Sequence, residues 1–436
     1  MTIVWEPLTL ALMLAAFGVL LMGARWPIGS ALLVSAWLGA AVNGDLLPLR
    51  HLVEGAFSYL DPILVIATAM IFMRALADAG AVASIGQALQ RRCGARPSIL
   101  LPLVMFLVML PGMITGSSTA SVLTTGGMAC AVLTSLGLAA DRAAAFVAMG
   151  AVLGMIAPPI TIPAMLIGAG LDLPYVGLAA PLALGAFPVA LIIGYLLGRP
   201  LLDRSAIAET PLRDARAGIE APMAMPRTPR ATLSRAAIPL LTLLVLMVGP
   251  SVWTFHFRDP GLPLVFVIAT GLGWLALPPF PRVASATRAV REVLPVLGIL
   301  TGVGAFIQVM TLTGARGWLV SVILTAPAWG IVLAAAVSLP LFGAVSAFGS
   351  ASVLGVPFLL ALLGRDEIVT TAGLSMLAAL GDLMLPAALA VTLATQAAGL
   401  DDRRPVLRQC VIPGVLVAVA ATAIIQWAPQ IGQIVR

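Results

Sequence analysis

Residues 97–136 and 317–364 carry no charged side chain, and each run is far longer than the ~20 residues that a transmembrane helix needs. Each also holds a cluster of small and hydroxyl residues: Gly116-Ser-Ser-Thr-Ala-Ser-Val-Leu123 in the first and Phe348-Gly-Ser-Ala-Ser-Val-Leu354 in the second. Both runs therefore predict a re-entrant hairpin, two helical arms meeting at a turn inside the membrane and leaving on the side they entered. Downstream of each, a glycine and proline interrupt another apolar stretch: Gly154-Met-Ile-Ala-Pro158-Pro159 and Gly381-Asp-Leu-Met-Leu-Pro386. Proline removes a backbone donor and ends helical geometry, so both stretches predict broken helices, the first extended by Thr161 and Pro163.

The rest of the chain fits the same solvent. With 61% hydrophobic and 10% charged residues over 436 positions, it has more apolar surface than a soluble core could hide. Apolar segments fall at 8–24, 27–43, 61–80, 97–136, 143–171 and 175–198, then at 236–255, 262–278, 294–312, 317–364, 368–398 and 411–427. The intervening 199–235 holds seven Arg, four acidic residues and five Pro, and is expected to be a cytoplasmic linker. The fold class expected is an all-α polytopic membrane protein built as an inverted repeat, 1–198 and 236–436, each half with five transmembrane helices plus one re-entrant hairpin.

Charge placement orients it. All 24 basic residues are Arg, and they gather in short loops between apolar runs, the distribution of the positive-inside rule rather than of a nucleic-acid face. With the N-terminus outside, 18 arginines fall in cytoplasmic loops and five outside, with Arg74 left inside a span. Five spans per half then place the second half upside down, its hairpin opening to the outside and the first to the cytoplasm. Leu8–Ala24 follows no basic region or cleavage site, so it reads as a retained span. Cys93, Cys130 and Cys410 lie too far apart in sequence to suggest a disulfide framework or metal spacing.

The two halves correspond beyond the hairpins. Phe72 and Gly80 are spaced as Phe306 and Gly314 are, and the Ala-Ser-Val-Leu matches pair Ser121 with Ser352. Paired interruptions at membrane depth are the hallmark of carriers that bind substrate and coupling ion where two repeats meet. In hydrocarbon an unpaired carbonyl costs several kcal/mol, so irregular backbone there is packed in protein or lines a wet cavity. Gly116, Ser117, Ser118, Thr119, Ser121 and Thr124, with the Gly154–Pro159 break and Thr161, could offer hydroxyls and carbonyls to a small hard cation such as Na⁺ at the hairpin tip. Gly349, Ser350, Ser352, Gly381, Asp382 and Pro386 form the second set. The competing reading is close helix packing by small residues. Asp382 sits in an otherwise apolar span, where a carboxylate costs at least ~2.5–3.5 kcal/mol. A cation, a transferable proton, or a neutral carboxyl bonded to nearby backbone would each satisfy it. Arg74 and Asp78, spaced i and i+4, read as a structural pair, and Asp61 as interfacial.

Gly18-Val-Leu-Leu, Trp26-Pro27-Ile-Gly, the span ending Met73–Gly80, the Gly116 cluster and the Pro158–Pro159 pair together resemble the large membrane subunit of the tripartite ATP-independent periplasmic (TRAP) transporters, over about residues 1–200. The resemblance implies an elevator-type carrier in a bacterial inner membrane, driven by Na⁺ and holding no cofactor. It further implies that the carrier takes organic acids such as C4-dicarboxylates from a periplasmic substrate-binding protein, with a small four-helix membrane subunit as partner. By the same resemblance, Ser117, Ser118, Thr119 and Ser121 with the Gly154–Pro159 break line one cation and substrate region, and Gly349, Ser350, Ser352, Gly381 and Pro386 line the other. The second half departs from the pattern, with Pro386 alone where a proline pair is expected and Asp382 before it. No central Lys or Arg is evident to neutralise a substrate carboxylate.

Two other functions stay open on sequence. A stand-alone cation-coupled carboxylate permease would need no binding protein. An intramembrane serine hydrolase using Ser117 would need a base, yet His51 and His256 fall in expected outside loops and the chain has no Lys. An open channel fits the paired breaks less well than alternating access does.

Overall fold

The computed structural model describes residues 5–93, 96–171, 173, 175, 177–204, 232–252 and 260–435. Among these the secondary structure is helical, with no strand. The first half runs α1 (Trp5–Gly18, continued by a π-helical turn Val19–Gly23), α2 (Ile28–Val42), α3 (Leu49–Ser58), α4 (Leu60–Asp78) and α5 (Ala81–Cys93). The hairpin follows as α6 (Pro97–Thr115), α7 (Ser118–Ser121), a π-turn (Val122–Gly126) and α8 (Gly127–Ser135). A broken helix, α9 (Ala140–Ile156) and α10 (Ile162–Ala169), then leads to α11 (Ala179–Arg204).

The second half repeats the series: α12 (Leu233–Val252), α13 (Leu262–Ala276), α14 (Arg282–Leu312) and α15 (Ala315–Leu324). Its hairpin is α16 (Ala328–Gly343), α17 (Ala347–Ser350), a π-turn (Ala351–Gly355) and α18 (Val356–Ala361). The broken helix is α19 (Glu367–Ala379) with a 3₁₀ turn (Leu380–Leu383) and α20 (Leu389–Ala397), followed by α21 (Arg404–Gln426) and α22 (Ala428–Val435). Among the described residues, six helices are long and apolar enough to cross a membrane: Trp5–Gly23, Leu60–Asp78, Pro97–Thr115, Ala179–Leu202, Arg282–Leu312 and Arg404–Gln426. The chain is thus a polytopic all-α membrane protein.

Two expectations change. The charge-free run 317–364 is not one hairpin: its first residues belong to α15, the counterpart of α5, and the chain breaks at Pro327 before the hairpin arm α16 begins. In the first half Arg91 and Arg92 in the last turn of α5 and Arg96 after it mark that boundary, whereas no charge marks it in the second. The linker expected over 199–235 lies outside the described residues for 205–231, and its flanks are helical, as the ends of α11 and α12. The Phe and Gly correspondence stands. Phe72 and Phe306 are both buried, and Gly80 and Gly314 end their spans at φ of +72° and +75°, a backbone region that side chains resist.

Packing sorts the helices into two groups. In one, α14 lies against α2, α3 and α4, and α13 against α4. Glycines let these backbones touch: a Cβ on Gly29 of α2 would lie 2.2 Å from the Gly298 carbonyl oxygen of α14. Without a hydrophobic drive between helices in lipid, such close approach supplies the dispersion contact that holds them. Arg74 binds Asp78 at 3.1 Å and Glu292 at 2.6 Å, and Arg288 binds Asp78 at 3.0 Å, so the expected pair is half of a network joining α4 to α14. A sharp contrast follows. Gly29→Ala must push two backbones apart and is expected to cost about 1–3 kcal/mol. Gly298→Ala, whose Cβ would meet nothing within 4 Å, should be neutral or gain up to about 1 kcal/mol of helix propensity. Thermal unfolding in detergent separates the two.

The second group is built around the helices that precede the breaks. Every residue of α9 from Ala143 to Ile156, and of α19 from Val369 to Ala379, is buried. Ala- and Gly-rich on all sides, they can be packed all round, as a helix without a polar face must be. Around α9 stand α6, α11, α20 and α21, and around α19 stand α10, α16, α11 and α21. The hairpins cross over between halves: the first π-turn packs on α20 and the second on α10. Each hairpin therefore rests on the far side of the other half's break.

Candidate functional site

The first hairpin turns at Gly116, in the left-handed region at φ +66°, where a residue with a Cβ would be strained. Ser117 caps α7, its hydroxyl accepting from the Ala120 N–H at 3.4 Å. The second hairpin turns without a left-handed residue but is capped in the same way, with Ser346 capping α17 and accepting from the Gly349 N–H at 3.1 Å. Ser346, not singled out in the sequence, is thus the counterpart of Ser117. Both caps are followed at the same spacing by a π-turn, an element common at functional sites. This fixes the register. Ser121 and Ser350 each stand four residues after their cap, so Ser121 pairs with Ser350 rather than with Ser352. The repeated Ala-Ser-Val-Leu string was two residues out of step with the backbone.

The matched hydroxyls Ser121 and Ser350 behave differently, although Ser338 of α16 and Thr370 and Thr371 of α19 are also buried without a hydrogen-bond partner among the described residues. Ser350 donates to Leu339 of its own hairpin at 2.6 Å, and Ser352 to Phe348 at 2.9 Å. Ser121, fully buried, has no partner for its hydroxyl among the described residues. It faces the crossing of α6 and α9, where a Cβ on Gly112 would lie 2.7 Å from the Ser121 oxygen and 2.9 Å from the Gly154 carbonyl carbon. Thr119 and Thr124 line the same hairpin, half-buried.

The breaks share a glycine and a cis peptide bond before proline at one spacing. Pro158–Pro159 and Leu385–Pro386 are cis, five residues after Gly154 and Gly381 respectively. Gly154 lies backbone-to-backbone on Met109 of α6, and Gly381 on Gly343 of α16, so each break is pinned to its own hairpin. Thr161 begins α10, and its hydroxyl donates to Ile156 at 2.9 Å, bridging the interruption.

A hydrogen bond between buried side chains joins the first hairpin to the second break. The Ser118 hydroxyl, at the tip of the first hairpin, donates to the carboxyl of Asp382 in the second break. Both side chains are buried. That contact brings one residue of each sequence-read set together, Ser118 of the first and Asp382 of the second.

Two residues that the sequence did not single out hold the breaks from behind. In the first half Tyr175 donates to the Pro159 carbonyl at 2.7 Å and accepts from the Thr161 N–H at 2.9 Å. In the second, Arg403 donates to the carbonyls of Pro386 at 3.3 Å and Ala387 at 3.4 Å, and to the Thr392 hydroxyl at 3.2 Å. They occupy matching places, 16 and 17 residues beyond the break proline. Arg403 also bounds a cavity of about 360 Å³ with Thr392, Thr395, Gln396 and Asp402. The sequence signal was the repeat itself: an Arg in the loop whose counterpart reaches back to the break.

The family model described as "Tripartite ATP-independent periplasmic transporter, DctM component" matches residues 11–431. The chain belongs to the DctM family. This DctM-family protein is accordingly a secondary transporter permease of the TRAP type and a multi-pass membrane protein, and its family is one of transporters rather than enzymes. DctM proteins work in TRAP systems with a substrate-binding protein and a small membrane subunit.

Solved structures share the fold of this DctM chain. The YdaH transporter of Alcanivorax borkumensis is 17% identical, with 89% of this chain and 90% of that one covered and a TM-score of 0.58. MtrF of Neisseria gonorrhoeae, described as illuminating a class of antimetabolite efflux pumps, is 13% identical, with 89% and 85% covered and a TM-score of 0.61. At these identities the likeness is one of fold. No curated protein matches the chain.

Proposed function

We propose that this permease imports a small organic acid, such as a C4-dicarboxylate, coupled to a Na⁺ or proton gradient by elevator-like alternating access between inverted halves. The observation that carries the reading is the Ser118–Asp382 contact, a buried carboxyl from one half meeting the hairpin tip of the other. A carboxyl at this depth is costly without a partner, and intramembrane acids mark ion and proton pathways. A cation reaching the first tip would find the Ser121 hydroxyl without a partner, with Gly116, Ser117, Thr119 and Thr124 beside it. Gly154, Pro158, Pro159 and Thr161 complete that region, and Gly349, Ser350, Ser352, Gly381 and Pro386 form the opposite wall. The division into a glycine-packed group around α14 and a buried group around α9 and α19 supports motion of one against the other.

In this reading the substrate arrives on a periplasmic binding protein, and the small four-helix subunit sits in the inner membrane beside the permease. The test is uptake of labelled succinate into vesicles holding the complete system, under an imposed inward Na⁺ gradient or an imposed proton gradient. Uptake that collapses when the gradient is abolished supports the reading. Uptake indifferent to both gradients contradicts it.

A further inference from the structure

The sequence offers no central Lys or Arg to a substrate carboxylate, but the fold brings one guanidinium to the seam between the two helix groups. Arg316 is the second residue of α15, two residues beyond the Gly314 that ends α14. Its Nη2 donates at 2.9 Å to the carbonyl of Gly170, the residue that caps α10. The bond thus ties the end of a helix in the glycine-packed group to the end of one in the buried group. Tyr59, whose ring is 2.9 Å from a Cβ on Gly304 of α14, makes the same crossing and donates to the Leu166 carbonyl of α10 at 3.4 Å. Ser352 of the second hairpin lies within reach of that hydroxyl. The Arg316 Nε, on the same edge of the guanidinium as Nη2, is buried with no acceptor. Arg74 and Arg288 have carboxylates to meet their charge, whereas none pairs with Arg316 among the described residues.

We propose that this edge of Arg316 receives a carboxylate of the substrate at the outer end of the seam. A guanidinium presents paired N–H donors in a rigid fork that matches the two oxygens of a carboxylate, and such charged bidentate pairs are the strong ones. Here the fork holds one neutral carbonyl oxygen on Nη2 and nothing on Nε. A carboxylate satisfies both donors and supplies the missing negative charge, so it displaces the Gly170 carbonyl. That carbonyl is the occupant of the empty carrier. Its release unties α10 from the end of α14, which links recognition of an anion to freedom of one group to move against the other. A neutral analogue of the same size brings no charge to the fork and leaves the tie in place. The inference rests on the reading of the substrate as an organic acid.

The experiment titrates ligand against stability. Thermal unfolding of the purified chain in detergent is followed with rising succinate, or with its neutral diamide succinamide, at constant ionic strength; a ligand that binds the folded state raises the midpoint. Succinate should raise the wild-type midpoint and succinamide should not. A hydrogen bond to a charged group is worth at least a factor of about ten, so R316Q, which keeps a donor and loses the charge, should need at least about ten times more succinate for the same rise. R316K should fall between the two. R316M serves in place of R316Q should the latter fail to fold, as judged by size exclusion and helical content. A merely structural cap on α10 predicts a lower R316Q midpoint without ligand and an unchanged response to succinate, and that result overturns the site. So does succinamide matching succinate, or a wild type unmoved by succinate while vesicles holding the complete system take it up; each of these leaves organic-acid import standing. A wild type unmoved by succinate, in a system whose vesicles take up none, overturns both.

Discussion

Asp382→Asn is expected to abolish the dependence of transport on Na⁺ or pH while leaving the fold intact. Asp382 is 8% exposed and lies in the 3₁₀ turn Leu380–Leu383 that opens the second break, with the Ser118 hydroxyl on its carboxyl. The amide has the same size and still accepts that bond through its oxygen, so packing is kept. What is lost is the charge and the exchangeable proton. A hydrogen bond to a charged group contributes about 1.5–3 kcal/mol, and 1.4 kcal/mol is a tenfold change, so gradient-driven uptake should fall at least about tenfold. The unfolding midpoint should barely move. Ser118→Ala, which strips the carboxyl of its one side-chain partner among the described residues, should weaken both coupling and stability. Unchanged ion dependence in the Asn variant would remove Asp382 from the coupling scheme.

Gly381→Ala should cost more in stability than any other methyl added at the site. A Cβ there would stand 2.3 Å from the Gly343 carbonyl carbon, 2.4 Å from its Cα and 2.5 Å from its oxygen, all backbone atoms with no rotamer to move aside. The residue has ordinary helical φ, so the cost is steric and not conformational. To reach normal contact, the arm α16 must retreat by about an ångström from the break, and overpacking of that kind costs about 1–3 kcal/mol. We expect the unfolding midpoint to fall by about 1–3 °C and uptake to be lost, because the second hairpin no longer seats on its break. An Ala variant with a wild-type midpoint and full uptake would show that this crossing yields freely, and the pinned-break account would fail.

Much of this architecture is legible in the chain because hydrocarbon makes irregularity expensive. A cluster such as Gly116–Ser121 inside a charge-free run has few uses other than a turn, and a proline such as Pro159 or Pro386 has few other than a break; both stand where the sequence placed them. The start of the second hairpin was hidden because charge had been serving as the boundary marker and Pro327 offers none. The register of the repeat was misread because four identical residues outweighed the caps: Ser346, which sets the frame, looks like any small residue until its hydroxyl is seen on the Gly349 N–H. Tyr175 and Arg403 were missed for a different reason. Their loops fold back to the breaks, a tertiary return that no local periodicity records. The meeting of Ser118 with Asp382, 264 residues apart, belongs to the same class.

The central claim is that this chain is the membrane permease of a tripartite, cation-coupled importer. Its most direct test is a mild-detergent affinity purification of the tagged protein from its native membrane, with mass spectrometry of what accompanies it. The account predicts a stoichiometric small protein of about four apolar spans, encoded alongside a periplasmic binding protein whose ligand names the substrate. A chain that emerges alone and transports organic acids in liposomes without either partner would contradict it and describe a self-sufficient permease.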